Sequence, residues 1–304
     1  MLGSRHPVFA AATVTPTELT VATDGTSLES DFEIASISKG ITGLLYSDAL
    51  ARGDVKPETT LGELLPLGDV PASSVTLSSL SRHRSGLPSL PKSADPTKRT
   101  IALLRHGTNP YGENLEQLLD QARGVGVGRP RARYSNLGFE LLGHAIATAA
   151  GTTYSALVRH RIVEPLGLDG LYVPAADEDL RPEALIGRSR RGQIREPWTG
   201  EAIGPAGGIR ARIQDMADLT RAILAGTAPG IAALDPVSSL GWGARVGAGW
   251  ITTRVRGRQI TWHNGGSGGF RSWLGLDREA GTGVVILSAT SISVDNHGFA
   301  LLTK

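Results

Sequence analysis

Three short groups of residues carry side chains whose types and spacing could do chemistry. The first is Ser36 with Lys39, in the run Phe32-Glu33-Ile34-Ala35-Ser36-Ile37-Ser38-Lys39-Gly40. Ile37, Ile41, Leu44, Leu45 and Ala49 then recur at three- and four-residue spacing until Gly53, which reads as a helix. A serine in its first turn and a lysine three positions on share one helix face. The helix N-terminus adds free N–H groups and the positive end of the dipole beside the serine oxygen. A serine hydroxyl holds its proton too tightly to attack a carbonyl unaided, and a lysine kept in an apolar pocket can lose its charge and take that proton. Taken alone, the spacing also fits an N-cap serine followed by a solvated lysine.

The second group is Tyr134-Ser135-Asn136, just ahead of the apolar run Leu137-Gly138-Phe139-Glu140-Leu141-Leu142. A tyrosine phenolate stabilised by nearby cations can accept the serine proton, and an asparagine amide can bind both a lysine and a substrate carbonyl. In isolation the tripeptide also reads as a helix cap. The third group is Trp262-His263-Asn264-Gly265-Gly266-Ser267-Gly268-Gly269. Glycines weaken a strand, so their density points to close approach of another backbone or of a ligand. A strand edge beside the serine could align an acyl chain by main-chain hydrogen bonds and offer one N–H to an oxyanion. A glycine-rich hairpin is the other reading.

These groups need elements to bring them together. Residues 7–14 and 18–23 read as a β-hairpin, and Trp250–Arg256, Gln259–His263, Phe270–Asp277 and Gly283–Ser288 as an antiparallel meander. Between them lie helical stretches at 115–123, 137–150 and 153–163, separated by loops containing Gly and Pro. Strands at both ends with a helical middle predict an α/β (α+β) fold. Its antiparallel sheet is built from both termini and flanked by helices (residues 1–55 and 200–304), with a mostly helical domain inserted at 56–199.

Composition narrows the chemistry. A chain of 304 residues with 40% hydrophobic content needs no disulfide or metal staple. Zero Cys excludes disulfides, thiolate zinc sites, iron–sulfur clusters and a cysteine nucleophile. Of 31 basic residues only five are Lys (39, 56, 92, 98 and 304), which makes Lys39 in an apolar setting conspicuous. Two arginine groups, Arg129/Arg131/Arg133 and Arg188/Arg190/Arg191/Arg195, are not interleaved with aromatics, and the net charge is only +2. They read as solvated faces, not a nucleic-acid footprint. The seven His are scattered without metal spacing, and neither a G-x-x-x-x-G-K nor a G-x-S-x-G motif surrounds a candidate nucleophile. The tryptophans read mainly as core, with substrate contact as the alternative. No cofactor or metal is expected. The run Pro7–Ala12 is too short for a signal or spanning segment; the compartment is left open by the sequence, cytoplasmic for the residues as they stand or the cell envelope if the chain continues past residue 304.

In the order Ser-x-x-Lys, Tyr-x-Asn and His-x-Gly, the chain resembles the serine β-lactamase and penicillin-binding-protein-like family, especially its class C β-lactamase, D,D-peptidase and esterase branch. Ser81–Pro88 and Gly204–Ile209 with Asp215-Met216-Ala217 are similar to further segments of that family. The resemblance implies an acyl-transfer enzyme. Ser36 would attack a carbonyl, with Lys39 and Tyr134 sharing the role of base. Asn136 would bind the substrate, and the backbone N–H groups of Ser36 and Gly266 would hold the oxyanion. His263, Asn264, Gly265 and Gly266 would line the substrate strand. His263 stands where relatives often have Lys, and Asn264 where they have a hydroxyl residue. A charge from a protonated His263 predicts that carboxylate-bearing substrates gain as pH falls, with Arg271 or Arg210 as other sources of charge. The expected substrate is a small ester, amide or peptide, with esterase or β-lactamase-like hydrolysis ahead of D-alanyl-D-alanine carboxypeptidase or acyl-transferase activity. A non-catalytic binding or sensor module on the same scaffold is the alternative from another class. The family closes with a long helix, whereas only Ser291–Lys304 is available here; a longer natural chain would leave room for membrane association.

Overall fold

The structure is a computed structural model and describes residues 3–90 and 114–304. Lys92, Lys98, His106 and the stretch 91–113 of the expected helical middle lie outside the described residues. Strands β1 (Phe9–Val14) and β2 (Leu19–Asp24) form the N-terminal hairpin. β3 (Asp31–Glu33) leads into α1 (Ser38–Arg52). The helical middle holds α2 (Leu115–Arg123), α3 (Asn136–Ala149) and α4 (Tyr154–Val158), the last running on into a π-helical turn at Arg159–Val163. The chain returns through α5 (Gly204–Gly207), β4 (Arg210–Arg212) and α6 (Ile213–Leu224). It then builds β5 (Ser238–Gly241), β6 (Ala244–Val246), β7 (Ile251–Val255), β8 (Arg258–Gly266), β9 (Arg271–Asp277) and β10 (Thr282–Ser288), ending in α7 (Asp295–Leu302).

The main sheet runs β2-β1-β10-β9-β8-β7-β6-β5, all antiparallel, so the N-terminal hairpin adds to the C-terminal meander through the β1–β10 pair. Strands β5 and β6 extend it beyond the four-stranded meander read from sequence. The sheet's two faces follow the period-two alternation of strand side chains. Ala10, Ala12, Val14, Leu274, Leu276, Val285 and Leu287 enter the large core shared with α1, α3 and α6. Ile260, Trp273, Val284 and Ile286 face the other way, against Val294 and Leu302 near α7. α1 is buried along most of its length because it lies between this sheet and the helices α3 and α5. No helix among the described residues is long and apolar enough to cross a membrane.

The tryptophans divide. Trp250 and Trp273 are fully buried and Trp198 nearly so, while Trp242 is fully exposed at the β5–β6 turn. Arg129, Arg131 and Arg133 line a cavity of about 260 Å³ with Gly86 and Gly128.

A second, two-stranded sheet pairs β3 with β4 and delivers the chain to Ser36. Its strength comes from Arg210, which is 1% exposed. Its Nε donates to Asp31 Oδ1, and its Nη1 reaches Glu33 Oε1 at 3.4 Å. Nη2 donates to the carbonyls of Asp31 (3.1 Å) and Leu185 (3.0 Å). Arg210 is therefore tied into the frame and is no free charge for a substrate. Replacing one partner of a buried pair leaves the others uncompensated. Arg210→Ala is expected to destabilise the protein by about 3–5 kcal/mol in denaturant unfolding; a loss under about 1 kcal/mol, the usual worth of an exposed pair, would contradict this role.

Candidate active site

Ser36 sits in a 3-10 turn, Ala35–Ile37, just ahead of α1, and not in the first α-helical turn expected from sequence. Between Asp31 and Gly40 every other residue is buried, so Ser36 is where this segment reaches the surface. Ala35 adopts φ +46°, a left-handed conformation that costs energy for a residue with a Cβ and persists only where the surroundings impose it. Here they do. Ile34 N–H donates to the Ile209 carbonyl (3.1 Å), Ser272 Oγ donates to the Ile34 carbonyl (2.7 Å), and Ile209 N–H donates to Ser38 Oγ (3.2 Å). Gly265 closes the other side: a Cβ there would lie 2.2 Å from the Ile34 oxygen. The close approach that the glycines allow at 265 is to the chain's own backbone beneath the serine.

Lys39 is fully buried, with Nζ 3.2 Å from Ser36 Oγ and 2.5 Å from the Ala206 carbonyl on α5. Burial penalises the ammonium and brings its pKa down to about 7, against a smaller opposing pull from Glu140. An amine donating one N–H to Ala206 can still present its lone pair to the Ser36 hydroxyl. Nζ also lies 5.0 Å from the centre of the Tyr134 ring. Tyr134 is 37% exposed overall, but its hydroxyl end is buried and hydrogen-bonds Ser36. Burial raises its pKa, so the phenol is favoured over the phenolate and the buried amine is the stronger resting base. Asn136 opens α3, where Ser135 Oγ caps the helix by accepting from Gly138 N–H at 2.9 Å.

Strand β8 carries the third group. β7 pairs with β8 only up to the Ile251–Trp262 pair, so residues 263–266 pair with β9 alone and keep their other edge open beside Ser36, although β8 is interior to the sheet. Alternation then separates the four residues. Thr261, His263 and Gly265 are on the buried side toward α1, whereas Asn264 shares the parity of Ile260 and faces α7, where its Nδ2 donates to Asp295 Oδ2 at 2.8 Å. The Asn264 side chain is thus on the α7 face of β8, opposite that of His263. His263 is 1% exposed, and Nδ1 donates to the Asn264 carbonyl at 2.6 Å. Burial, then the proximity of Lys39, drives its pKa down to about 3. It therefore remains neutral through the physiological range and supplies no charge for a carboxylate. Arg271 lies beside Gly266 and donates from Nη1 to the carbonyls of Ser267 (3.0 Å) and Phe270 (2.9 Å), which leaves its charge in place.

Two further residues belong to this site. Glu140, one helical turn beyond Asn136, is fully buried, neither side-chain oxygen is hydrogen-bonded among the described residues, and burial pushes its pKa up to about 8, with Lys39 opposing. Its signal in the sequence is a lone carboxylate inside the apolar run 137–142. His83 lies under Tyr134, with ring centres 4.6 Å apart. Only its place in the Ser81–Pro88 segment marks it in the sequence. Among the described residues no cluster of His, Asp or Glu could hold a metal ion.

A buried amine against a serine, with a tyrosine and an open strand edge around them, is the equipment of acyl transfer. A family model described as Beta-lactamase matches residues 12–300. The chain belongs to the beta-lactamase family. In the Escherichia coli strain K12 D-alanyl-D-alanine-carboxypeptidase/endopeptidase AmpH, 32% of 156 aligned residues are identical, covering 50% of this chain and 39% of that protein. The unguisins hydrolase ungD' of Aspergillus campestris is 25% identical over 256 residues, covering 76% of this chain and 45% of its own length. The chain thus spans less than half the length of these curated relatives. A class C beta lactamase from Rhodobacter sphaeroides shares the fold with a TM-score of 0.80 at 18% identity, over 97% of this chain and 93% of that one.

In this beta-lactamase-family chain the tight contact beneath the serine gives a direct test. Gly265→Ala forces the Ile34 carbonyl aside and should slow covalent labelling of Ser36 by a fluorophosphonate by roughly 100-fold, the scale of a 1 Å misplacement. An unchanged labelling rate would show that this contact does not position the nucleophile.

Proposed function

We propose that the chain hydrolyses small, uncharged esters or amides through an acyl-enzyme on Ser36. The observation that carries this is the pairing of the buried Lys39 amine with Ser36 Oγ at 3.2 Å, beside a histidine that stays neutral. In the first half-reaction the Ser36 hydroxyl proton passes to Lys39 Nζ as Oγ bonds to the carbonyl carbon. The oxyanion forms against the backbone N–H groups of Ser36 and Gly266. The proton then reaches the leaving oxygen or nitrogen through the Tyr134 hydroxyl as the carbonyl re-forms, with Asn136 binding the acyl side. Water repeats the sequence on the acyl-enzyme, with the same groups returning Ser36 to its starting state.

Substrate charge follows from what surrounds the serine. Arg210 is bound to Asp31 and Glu33, Arg271 to backbone carbonyls, and His263 is uncharged. A substrate carboxylate therefore gains no charge from Arg210 or His263, which favours neutral esters over carboxylate-bearing β-lactams. The likeness to AmpH supports a second reading, D-alanyl-D-alanine carboxypeptidase activity. A non-catalytic sensor is less well supported, since ligand binding alone requires no serine–amine pair.

Mass spectrometry after treatment with a fluorophosphonate tests the nucleophile: an adduct on Ser36 is expected in the wild type and none in Ser36→Ala, and its absence from both removes the reading. Lys39→Ala should lower the acylation rate roughly 100- to 10,000-fold. Lys39 is competent as the free amine, so kcat/KM for a neutral nitrophenyl ester should rise as pH rises through about 7. A neutral His263 gives carboxylate-bearing substrates the same profile; a gain for them as pH falls below neutral would restore a charged His263 and overturn the assignment.

A further inference from the structure

His83 is bound to the Tyr134 loop through its backbone and its ring together. It is 1% exposed and adopts φ +55°, the left-handed region that histidine enters more readily than most residues with a Cβ. In that conformation both its carbonyl and its ring face the loop. The carbonyl accepts from Arg133 N–H at 2.9 Å, and ring Nδ1 accepts from Ser135 N–H at 3.2 Å. The two neighbours of Tyr134 are therefore tied to one residue. Between these bonds the imidazole lies against the Tyr134 ring, 4.6 Å from centre to centre and tilted by 31°, and against Phe139 on its other contact, at 4.7 Å.

The rest of the segment continues the attachment one residue at a time. Ser135 Oγ donates to the Pro88 carbonyl (2.7 Å) and Asn136 N–H to the Ser89 carbonyl (3.0 Å). The 83–89 segment is thus the template on which Tyr134 and Asn136 are laid, and His83 is the part of it that touches the tyrosine ring.

Because a backbone N–H can only donate, Nδ1 must carry the lone pair, and the ring proton belongs on Nε2. That nitrogen is buried without a hydrogen-bond partner among the described residues. Burial, and the closeness of Lys39 and His263, hold the pKa well below its ordinary value, so the ring is neutral and its Nδ1 acceptor persists in mildly acidic solution. Tyr134 stacks on the same ring, and Phe139 brings no charge.

We propose that His83 is a positioning residue that fixes the Tyr134 ring and its loop for proton transfer at Ser36. The proposal rests on the reading of Ser36 as nucleophile and Tyr134 as proton relay. It makes the tyrosine's aim depend on an imidazole from a distant part of the chain, contributed by a segment that touches no reacting atom.

The test is a double-mutant cycle on the rate of Ser36 labelling by a fluorophosphonate. His83→Phe keeps a ring and removes the acceptor; His83→Asn keeps an acceptor near Nδ1 and tolerates the left-handed backbone but removes the ring. Each should slow labelling of the wild-type protein, His83→Phe by roughly 10- to 100-fold. If His83 acts through Tyr134, the same substitutions in a Tyr134→Phe background should cost less than about threefold more, because residues that act as a unit are not additive. Equal losses in both backgrounds would overturn the proposal, as would labelling of His83→Phe at the wild-type rate. Thermal melts identify a variant that has simply unfolded, in which case the Asn variant carries the cycle. Nitrogen NMR of the ring is independent of activity: the Nε2–H tautomer should persist from neutral to mildly acidic pH, and an Nδ1–H tautomer or a protonated ring overturns the clamp. If the wild type is not labelled at Ser36 while the tautomer is as stated, the nucleophile assignment fails and the clamp alone survives.

Discussion

Removing Lys39 from water is the constraint on which the site depends. An ammonium in a closed apolar setting is strongly penalised, and the penalty is relieved by giving up the proton. The fold takes advantage of that relief. α1 lies between the sheet and the helices α3 and α5, so Lys39 reaches no solvent, and Ala206 and Ser36 are what its nitrogen touches. The same burial that would make a structural lysine a liability turns this one into an amine near neutral pH. Glu140 opposes the loss of the proton but is itself pushed toward its neutral acid. The pair is thus most stable with little net charge, as expected of two groups sharing a dry interior.

Around this amine the fold uses two kinds of rigidity. Backbone bonds and one close glycine contact hold the strained Ala35 turn, so the serine is presented without a mobile loop. Charge holds the strand that leads into it, through Arg210 with Asp31 and Glu33. The two sit on opposite ends of the same short peptide, Asp31 to Ser36, and each is contributed by a distant segment of sequence. Histidines add a third. His83 and His263 lie near Tyr134, at 4.6 and 6.4 Å between ring centres, and burial keeps both uncharged. The neighbourhood therefore gives a phenolate little cationic support, and proton abstraction falls first to Lys39.

Much of the architecture is legible in the order of residues. The hairpin at the N-terminus and the four later strands lie within a few residues of their expected limits, because antiparallel strands separated by Gly-bearing turns are locally encoded. α2 and α3 also match, with capping by Asn114 and Ser135 at the points where periodicity begins. Strands β5 and β6 carry no such signal: they are short, flank the exposed Trp242, and show no clear alternation. The parity of β8 is different, since residues two apart on a strand share a face. Grouping 263–266 as one run leaves out that alternation, which puts the Asn264 side chain on the α7 face and His263 on the other.

What the sequence determined by itself was local: a serine and lysine at one helical spacing, a tyrosine and asparagine at a helix entrance, glycines on a strand, and no thiol to compete with them. Those features depend on residue type and separation, and three separated motifs in a fixed order were specific enough to indicate the family. Tertiary structure alone decided which groups carry charge and which way they point. Lys39 and His263 are both potential cations by composition; one becomes a base at about 7 and the other stays neutral to about 3. The reason is that desolvation is set by what packs around a group, and here the packing comes from segments far apart in the chain, which no local pattern records.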